Sequence, residues 1–301
     1  MIIPPYLKKG DRIGIVCPSG YMPAENTPKG IMALEQHGFT IKLGKTVGNQ
    51  HYYFSGTDEE RLDDLQMMLN DDAVKAIYFG RGGYGLSRII DKIDFKKFKK
   101  NPKWLVGYSD ITVLHAHINR NYKIATLHAP MIGAWNEYGE NNAYNLSVIN
   151  ALKGKKADYS CAAFALNKQG HAKGELVGGN LSIVNHLIGT RSSYQTRNKI
   201  LFLEDVGEYL YHIDRLFIQL KRAGLLKGLA GLVLGGFTEL KDTIIPFGKD
   251  IETLLAEHLA GYDYPVCYRF PVGHTMENYA LKIGQEYSLS VKAAGVRLKE
   301  G

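Results

Sequence analysis

The sequence predicts an α/β protein of two domains, with a parallel sheet in the first domain and a smaller, β-rich second domain. The chain has 301 residues, which is beyond the size at which a single core tends to split. Strand and helix patterns alternate along the first half, and that alternation is typical of a parallel sheet covered on both faces. Residues 153–172 are rich in lysine, glycine and polar side chains. We therefore predict domains at 1–152 and 173–301, joined by a linker at 153–172.

The first domain is predicted to alternate strands with helices from its first apolar run onward. The strands are short apolar runs bounded by turn residues, at Asp11–Val16, Phe39–Leu43, Ala73–Phe79, Trp104–Tyr108 and Ile124–Leu127. The helices are predicted at Glu25–His37, Thr57–Leu69, Leu86–Ile90 and Asp110–Asn119. The second of these helices opens on a capping box, in which Thr57 and Glu60 each bond the other's backbone amide.

The second domain is predicted to mix helices and strands. Strands are expected at Glu175–Val177, Lys199–Leu203, Leu229–Leu234 and Val266–Phe270, followed by a β-rich tail at Leu281–Val291. Helices are expected after Asn180, near His212–Ala223 and at Asp250–His258. We find no internal repeat and no low-complexity segment.

Composition limits the class of protein. The chain is 45% hydrophobic and 22% charged, which is ordinary for a globular protein, and no apolar run approaches the roughly 20 residues that a membrane span needs. The first residues do not show the pattern of a secretory signal. Three widely spaced cysteines, Cys17, Cys161 and Cys267, form no CxxC motif. Their spacing argues against a disulfide framework or a zinc site and fits a reducing, cytoplasmic compartment.

The formal net charge is +7. The lysines are spread along the chain, with one local cluster at Lys96, Lys97, Lys99 and Lys100. We expect this cluster to lie on a solvated helix face, and we predict neither nucleic acid nor membrane as a partner. The positive balance is also compatible with an acidic small substrate that is steered by the field of the protein.

A glycine loop, Gly80–Gly85, follows the third predicted strand and precedes a helix. Its sequence GRGGYG matches the dinucleotide-binding pattern GxGxxG, but that fingerprint normally lies in the first strand–helix turn of a domain. Glycines allow close approach of the backbone and point N–H groups at negative charge, which suits a phosphate, a carboxylate or an oxyanion. The alternative is a tight turn that holds no ligand.

Ser109 lies between the fourth strand and the following helix, in the run GYSD. A serine at such a turn has an exposed hydroxyl at the carboxyl edge of the sheet, next to amides that can stabilise an oxyanion. The run is not GxSxG, and a serine or aspartate before a helix often serves only as its N-cap. Position alone therefore leaves Ser109 as either a nucleophile or a cap.

A nucleophilic serine needs a base and an acid that orients the base. His115 is six residues along the helix from Ser109 and points away from it, whereas His274 follows a strand among small loop residues. Glu204 and Asp205 end a buried apolar strand, where an unpaired carboxylate is costly. The alternatives are an ordinary loop histidine and a capping or ion-paired acid.

Taken together, these segments resemble the LD-carboxypeptidase family of serine peptidases over nearly the whole chain. The runs that carry the resemblance occur in the family's order: GRGGYG (80–85), GYSD (107–110), GGNL (178–181), LEDVGE (203–208), HIDRLFIQLKRAG (212–224) and GHT (273–275). The resemblance implies a flavodoxin-like first domain, a smaller β-rich second domain and an active site between them. The segment Tyr209–His212 lacks a proline that we would expect there, which affects a loop and none of the implied catalytic residues.

The resemblance also implies site residues. Ser109 corresponds to the nucleophile, His274 to the general base and Glu204 to the acid that orients it. Amides of Gly82, Gly83 and Asp110 would stabilise the oxyanion. An exopeptidase must also bind the terminal carboxylate of its substrate, for which Arg81 is a candidate in the glycine loop; the alternative is a surface arginine. No metal or organic cofactor is implied, and a homodimer is expected.

Three functions remain open at this point. The first is removal of the terminal D-Ala from peptidoglycan-derived tetrapeptides in cell-wall recycling. The second is cleavage of acyl or aminoacyl amide bonds in antibiotic-like nucleotides for self-immunity, in which Trp135 or Tyr138 would stack on the base, although either could instead be core. The third is a non-catalytic nucleotide-binding module that uses the glycine loop.

Overall fold

The computed structural model describes residues 1–139 and 141–301, except for the side chain of Tyr138. The chain divides into two compact units, one made of Met1–Lys155 with Tyr279–Lys282 and the other of Lys156–Asn278 with Ile283–Gly301. The predicted α/β class is confirmed: the first unit contains a sheet of mainly parallel strands and the second contains a separate sheet.

The first unit is built on a six-stranded sheet. Its strands are β1 (Arg12–Val16), β2 (Thr40–Leu43), β3 (Val74–Phe79), β4 (Trp104–Gly107), β5 (Thr126–His128) and β11 (Leu281–Ile283). They lie in the order β11-β5-β4-β3-β1-β2, and each neighbouring pair among the first five strands is parallel. The order 2-1-3-4-5 is that of the flavodoxin-like fold, in which ligands bind at the carboxyl ends of the strands.

The helices of the first unit are α1 (Pro28–Gln36), α2 (Asp58–Asn70), α3 (Leu86–Ile89), α4 (Lys96–Lys100), α5 (Thr112–Tyr122), α6 (Ala134–Tyr138) and α7 (Ala143–Leu152). The predicted capping box of α2 is present, since Glu60 N donates to Thr57 Oγ1 and Thr57 N donates to Glu60 Oε2. The four lysines of α4 are exposed, as expected, while Phe98 is buried.

The second unit is built on a seven-stranded sheet. Its strands are β6 (Asp158–Cys161), β7 (Gly170–Asn180), β8 (Ile200–Val206), β9 (Gly231–Thr238), β10 (Val266–Cys267), β12 (Glu286–Lys292) and β13 (Gly295–Glu300). The order is β10-β9-β8-β7-β12-β13-β6. Strand β7 joins two halves of the sheet, because it pairs in parallel with β8 and antiparallel with β12.

Three helices accompany this sheet: α8 (Leu181–His186), α9 (Leu210–Arg222) and α10 (Ile251–Leu259). Helix α9 buries Ile213, Phe217 and Leu220, which recur at the spacing of one helical face. The two edge strands β6 and β10 approach each other, since the free thiols of Cys161 and Cys267 lie 3.9 Å apart.

Two segments differ from the sequence-based assignment of elements. The predicted tail at Leu281–Val291 is divided, because β11 joins the first sheet and β12 the second. Residues 153–172 include the strand β6, whose polar sequence DYSC gives no apolar signal. Within the described part of the chain, every helix is too short or too polar to cross a membrane.

Candidate active site

Ser109 follows β4 at the carboxyl edge of the first sheet. Its φ is 63°, in the left-handed region that residues with a Cβ atom rarely occupy. Ser109 begins a single 3₁₀ turn that leads into α5, and no side chain caps either of these helical segments. Capping therefore does not explain Ser109. A half-exposed serine held in a strained strand-to-helix turn has the geometry expected of a nucleophile.

The glycine loop lies against this serine. A Cβ atom at Gly82 would be 2.9 Å from Ser109 Cβ, 3.0 Å from Ser109 Oγ and 3.3 Å from the amide nitrogen of Asp110. A side chain at position 82 would therefore displace the serine. Gly83 has a φ of 96°, and a Cβ atom there would be 2.6 Å from the hydroxyl of Tyr53. The fold thus brings the glycine loop, Ser109 and the Asp110 amide together.

The carboxylate of Asp110 has a separate task that the sequence did not reveal. Asp110 is buried, and its Oδ2 accepts hydrogen bonds from Ser19 Oγ at 2.6 Å and from Leu86 N at 2.9 Å. Ser19 follows β1 and Leu86 begins α3 after the glycine loop. One carboxylate therefore ties three loops of the carboxyl edge together. The signal in the sequence was the aspartate of GYSD, but we predicted a role only for its backbone amide and none for its carboxylate.

We expect Asp110→Ala to lower the free energy of unfolding by about 3 kcal/mol, because it leaves buried donors of Ser19 and Leu86 without an acceptor. Asp110→Asn retains one acceptor oxygen and should lose about 1 kcal/mol. Urea denaturation of the two variants beside the wild type measures both values. Equal losses in the two variants would show that the hydrogen-bond acceptor is not what matters.

His115 contacts the strand that carries the serine but cannot serve as its base. Its Nε2 lies 2.8 Å from the carbonyl oxygen of Gly107, and burial lowers the pKa of His115 to about 4. The ring is therefore neutral at physiological pH and donates to the end of β4.

Arg81 is exposed, and its Nη1 donates to the carbonyl oxygen of Tyr21 at 2.7 Å. This bond fixes the guanidinium beside the glycine loop. Its predicted role in binding a substrate carboxylate stays a prediction.

Glu204 and His274 form a direct pair in the second unit. The register of β8 against β9 shifts between Leu203 and Asp205, and such a bulge re-aims the side chain at its centre. Glu204 is buried, and its Oε2 lies 2.7 Å from His274 Nδ1 and accepts from the His274 backbone amide at 3.2 Å. Because a carboxylate only accepts, Nδ1 carries the hydrogen, and Nε2 of the neutral ring is the basic nitrogen.

A glycine makes this pair possible. Gly273 has a φ of 114°, and a Cβ atom there would lie 2.6 Å from Glu204 Cβ and 2.7 Å from Glu204 Oε2. The carbonyl oxygen of His274 in turn accepts from Thr238 Oγ1 at 2.9 Å. The loop that carries His274 is therefore fixed by two contacts, one between Gly273 and Glu204 and one between the His274 carbonyl oxygen and Thr238.

The neighbouring acid, Asp205, is used differently. Its carboxylate accepts from the Asn180 side chain at 2.8 Å and from the Ser182 amide and hydroxyl at 3.0 and 2.8 Å. Burial, followed by the negative charge of Glu204, raises the pKa of Asp205 to about 6. Of the two acids that end the strand, Glu204 is thus the one that orients a histidine, and Asp205 anchors the start of α8.

The pKa of His274 is set by opposing effects. Burial lowers this pKa, but the negative charges of Glu204, Asp205 and Glu239 together raise it by more than burial lowers it. The pKa of His274 therefore lies above the ordinary value of 6.5. Protonated His274 therefore stabilises the fold fully below pH 6.5, and this contribution is lost as the pH rises through the raised pKa.

The family resemblance implies that His274 is a general base, and a general base must be neutral, so we expect activity to show the opposite dependence on pH. We expect kcat/KM to rise with pH along a single-proton limb whose midpoint lies above 6.5. A profile of kcat/KM between pH 5 and 9 measures this midpoint. A midpoint below 6.5 would contradict a base paired with Glu204.

Trp135 belongs to the core of the first unit. It is buried, and its Nε1 donates to the hydroxyl of Tyr78 at 3.0 Å. Of the two alternatives for Trp135, the core assignment is correct, so this side chain offers no face to a nucleotide base. The side chain of Tyr138 lies outside the described part of the chain.

Comparison with known proteins shows the family of the chain. The model of the LD-carboxypeptidase N-terminal domain matches residues 13–129, and that of the LD-carboxypeptidase C-terminal domain matches residues 173–289. A probable murein peptide carboxypeptidase of Bacillus subtilis is 35% identical over 292 residues, which cover 95% of this chain and 91% of the relative.

Solved structures share the fold. The crystal structure of muramoyltetrapeptide carboxypeptidase from Oxalobacter formigenes superposes with a TM-score of 0.88 at 29% identity and covers 96% of this chain and 98% of its own. The microcin C7 self immunity protein MccF superposes with a TM-score of 0.87 at 21% identity, over 100% of this chain and 99% of its own, which is a likeness of fold alone. By both domain models and by its relatives, the chain belongs to the LD-carboxypeptidase family.

Proposed function

We propose that the protein is a serine carboxypeptidase that removes the terminal D-Ala from peptidoglycan-derived tetrapeptides. The observation that carries the proposal is the state of Ser109, which is strained, caps no helix and lies against the glycine loop. The Glu204–His274 pair supports it with an oriented base. Relatives named as murein peptide and muramoyltetrapeptide carboxypeptidases support the choice of substrate.

In this mechanism, His274 Nε2 takes the proton of the Ser109 hydroxyl as Oγ attacks the carbonyl carbon of the scissile amide. Backbone amides of the glycine loop and of Asp110 stabilise the oxyanion. The tetrahedral intermediate collapses, and His274 gives its proton to the leaving amine of D-Ala. Water, deprotonated by His274, then attacks the acyl-enzyme, releases the shortened peptide and restores Ser109.

Glu204 supports both proton transfers. Its bond to Nδ1 fixes the ring orientation and the tautomer, and its charge stabilises the imidazolium that forms in each transition state. Arg81 is proposed to bind the terminal carboxylate, because the guanidinium lies beside the loop that contacts Ser109.

The proposal is tested by incubating the purified protein with murein tetrapeptides that differ in the third residue and weighing the products. Loss of one alanine residue, with free D-Ala released, is the expected result. An aminoacyl nucleotide amide in parallel separates the peptidase from a self-immunity amide hydrolase. Tight binding of a dinucleotide without any turnover would favour a non-catalytic module instead.

A cytoplasmic location and a homodimer complete the proposal. The three cysteines are free thiols in the structure, which suits a reducing compartment. The dimer is proposed from the family resemblance, and light scattering at assay concentration measures the mass that tests it.

A further inference from the structure

A tight turn beside the nucleophile displays two tyrosines. His51 and Phe54 exchange backbone hydrogen bonds of 2.8 and 3.0 Å, so Tyr52 and Tyr53 are the two central residues of a hairpin turn. Tyr52 has a φ of 53°. Where the first central residue of such a turn has positive φ, glycine is preferred, and a bulky residue there is an outlier.

Packing does not explain these tyrosines. The side chain of Tyr52 is 87% exposed and that of Tyr53 is 53% exposed. A third tyrosine, Tyr84 of the glycine loop, is 48% exposed and contacts Phe54, with ring centroids 6.0 Å apart. We call Tyr52, Tyr53 and Tyr84 the aromatic rim. Neighbouring exposed aromatic side chains of this kind mark a binding surface.

The rim is connected to Ser109 by short steps within the first unit. Tyr21 N donates to the Tyr53 carbonyl oxygen at 2.9 Å, and Gly20 N donates to the Gly82 carbonyl oxygen at 3.0 Å. Gly82 in turn contacts Ser109. The turn, the loop after β1 and the glycine loop are therefore joined, so the rim belongs to the set of loops that contact Ser109.

Phe54 anchors the turn that carries Tyr52 and Tyr53. Its ring lies under the guanidinium of Arg61, 4.7 Å from the ring centroid, and Arg88 lies 5.7 Å away. Arg61 is buried and donates to the carbonyl oxygen of Pro18 at 2.6 Å. The turn is thus anchored from below while its tyrosines face solvent, which is the arrangement of a preorganised binding surface.

We propose that the aromatic rim binds the sugar ring of a muramoyl peptide, which makes the protein selective for sugar-bearing substrates. The inference rests on the proposed function, and the name of the Oxalobacter formigenes relative includes the same muramoyl group. A pyranose presents C–H groups on its face and hydroxyls at its edge, which match the apolar face and polar tip of tyrosine. The peptide portion is rich in carboxylates and suits cations instead.

The reach of the substrate agrees with this assignment. The scissile bond follows the third residue of the peptide, and the sugar is attached at its amino end. Three extended residues span roughly 10 Å. Within the glycine loop, a Cβ atom at Gly83 would be 2.6 Å from the Tyr53 hydroxyl, and the adjacent Gly82 contacts Ser109.

Kinetics with two matched substrates test the proposal: a free tetrapeptide and the same tetrapeptide carrying its muramoyl group. For Tyr52→Ala/Tyr53→Ala we expect KM for the muramoyl substrate to rise roughly tenfold, from lost stacking, with kcat unchanged. The free peptide should show no change in either constant. Tyr52→Phe/Tyr53→Phe keeps the rings and should retain most of the selectivity.

Tyr262→Ala serves as the control, because Tyr262 belongs to the second unit, whereas all three rim tyrosines belong to the first. It should leave both substrates unaffected. An equal loss for both substrates in the double alanine variant, or no loss for the muramoyl substrate, would overturn the proposal.

A binding measurement tests the sugar site independently of the proposed reaction. Saturation-transfer NMR with N-acetylmuramic acid alone should show transfer to the ring protons in the wild type and loss of it in the double alanine variant. If neither tetrapeptide is cleaved, the proposed function fails while this measurement still decides whether the rim binds the sugar. No transfer from the wild type would rule the sugar site out.

Discussion

Ser109→Ala is expected to lower kcat by about 10⁵- to 10⁶-fold, the loss typical of removing the nucleophile from a serine peptidase. Release of D-Ala from a murein tetrapeptide, followed by mass spectrometry, measures the residual rate. KM should change little, because the hydroxyl serves the chemical step rather than binding. A loss of less than tenfold would exclude Ser109 as the nucleophile.

The same position offers a control based on the backbone. Alanine and serine have a similar penalty at a φ of 63°, so Ser109→Ala should leave stability nearly unchanged. Ser109→Gly removes the hydroxyl and also the strain, and should raise the free energy of unfolding by about 1 kcal/mol. An inactive but more stable glycine variant would show that the strain at Ser109 is maintained for function.

Regular alternation made the first sheet predictable, since β1, β3 and β4 are apolar runs between helices. Helix α7 was missed because its buried residues include Asn145 and Ser147, which hide the helical period. Strand β11 was assigned to the wrong sheet because a run such as Leu281–Ile283 contains no information on which distant strand it pairs with. Periodicity identifies local elements, whereas partners far along the chain are chosen by packing.

The candidate site shows the same division. Strand ends pointed to Ser109 and Glu204, and the family resemblance selected His274 among the histidines. The structure pairs His274 with Glu204. The left-handed backbone of Ser109 could not be predicted, because serine at such a φ carries no sequence signal of the kind that glycine does. The hydrogen bonds of Asp110 to Ser19 and Leu86 join residues far apart in sequence. The tyrosines at positions 52 and 53 were not singled out either, because the sequence does not show which aromatic side chains are exposed.

Glu204→Gln should lower kcat by about 10³- to 10⁴-fold, the loss seen when the acid of a catalytic triad is neutralised. The substitution is nearly isosteric. Oε1 is buried and makes no hydrogen bond among the described residues, so the amide group of glutamine can take its place while the other oxygen still accepts from His274. What is lost is the charge that stabilises the imidazolium.

The charge makes a second measurable contribution, to the pKa of the base. Burial lowers the pKa of His274 and the charge of Glu204 raises it. Without that charge the pKa of His274 should fall, and the acid limb of kcat/KM should move to lower pH. Asp205→Asn is the matched control, because it removes one negative charge from the adjacent residue, which bonds Asn180 and Ser182 instead of the histidine. It should reduce stability and change kcat by less than tenfold. If both variants lost activity equally, the general negative field at the end of β8 would be responsible, and the specific Glu204–His274 bond would not be required.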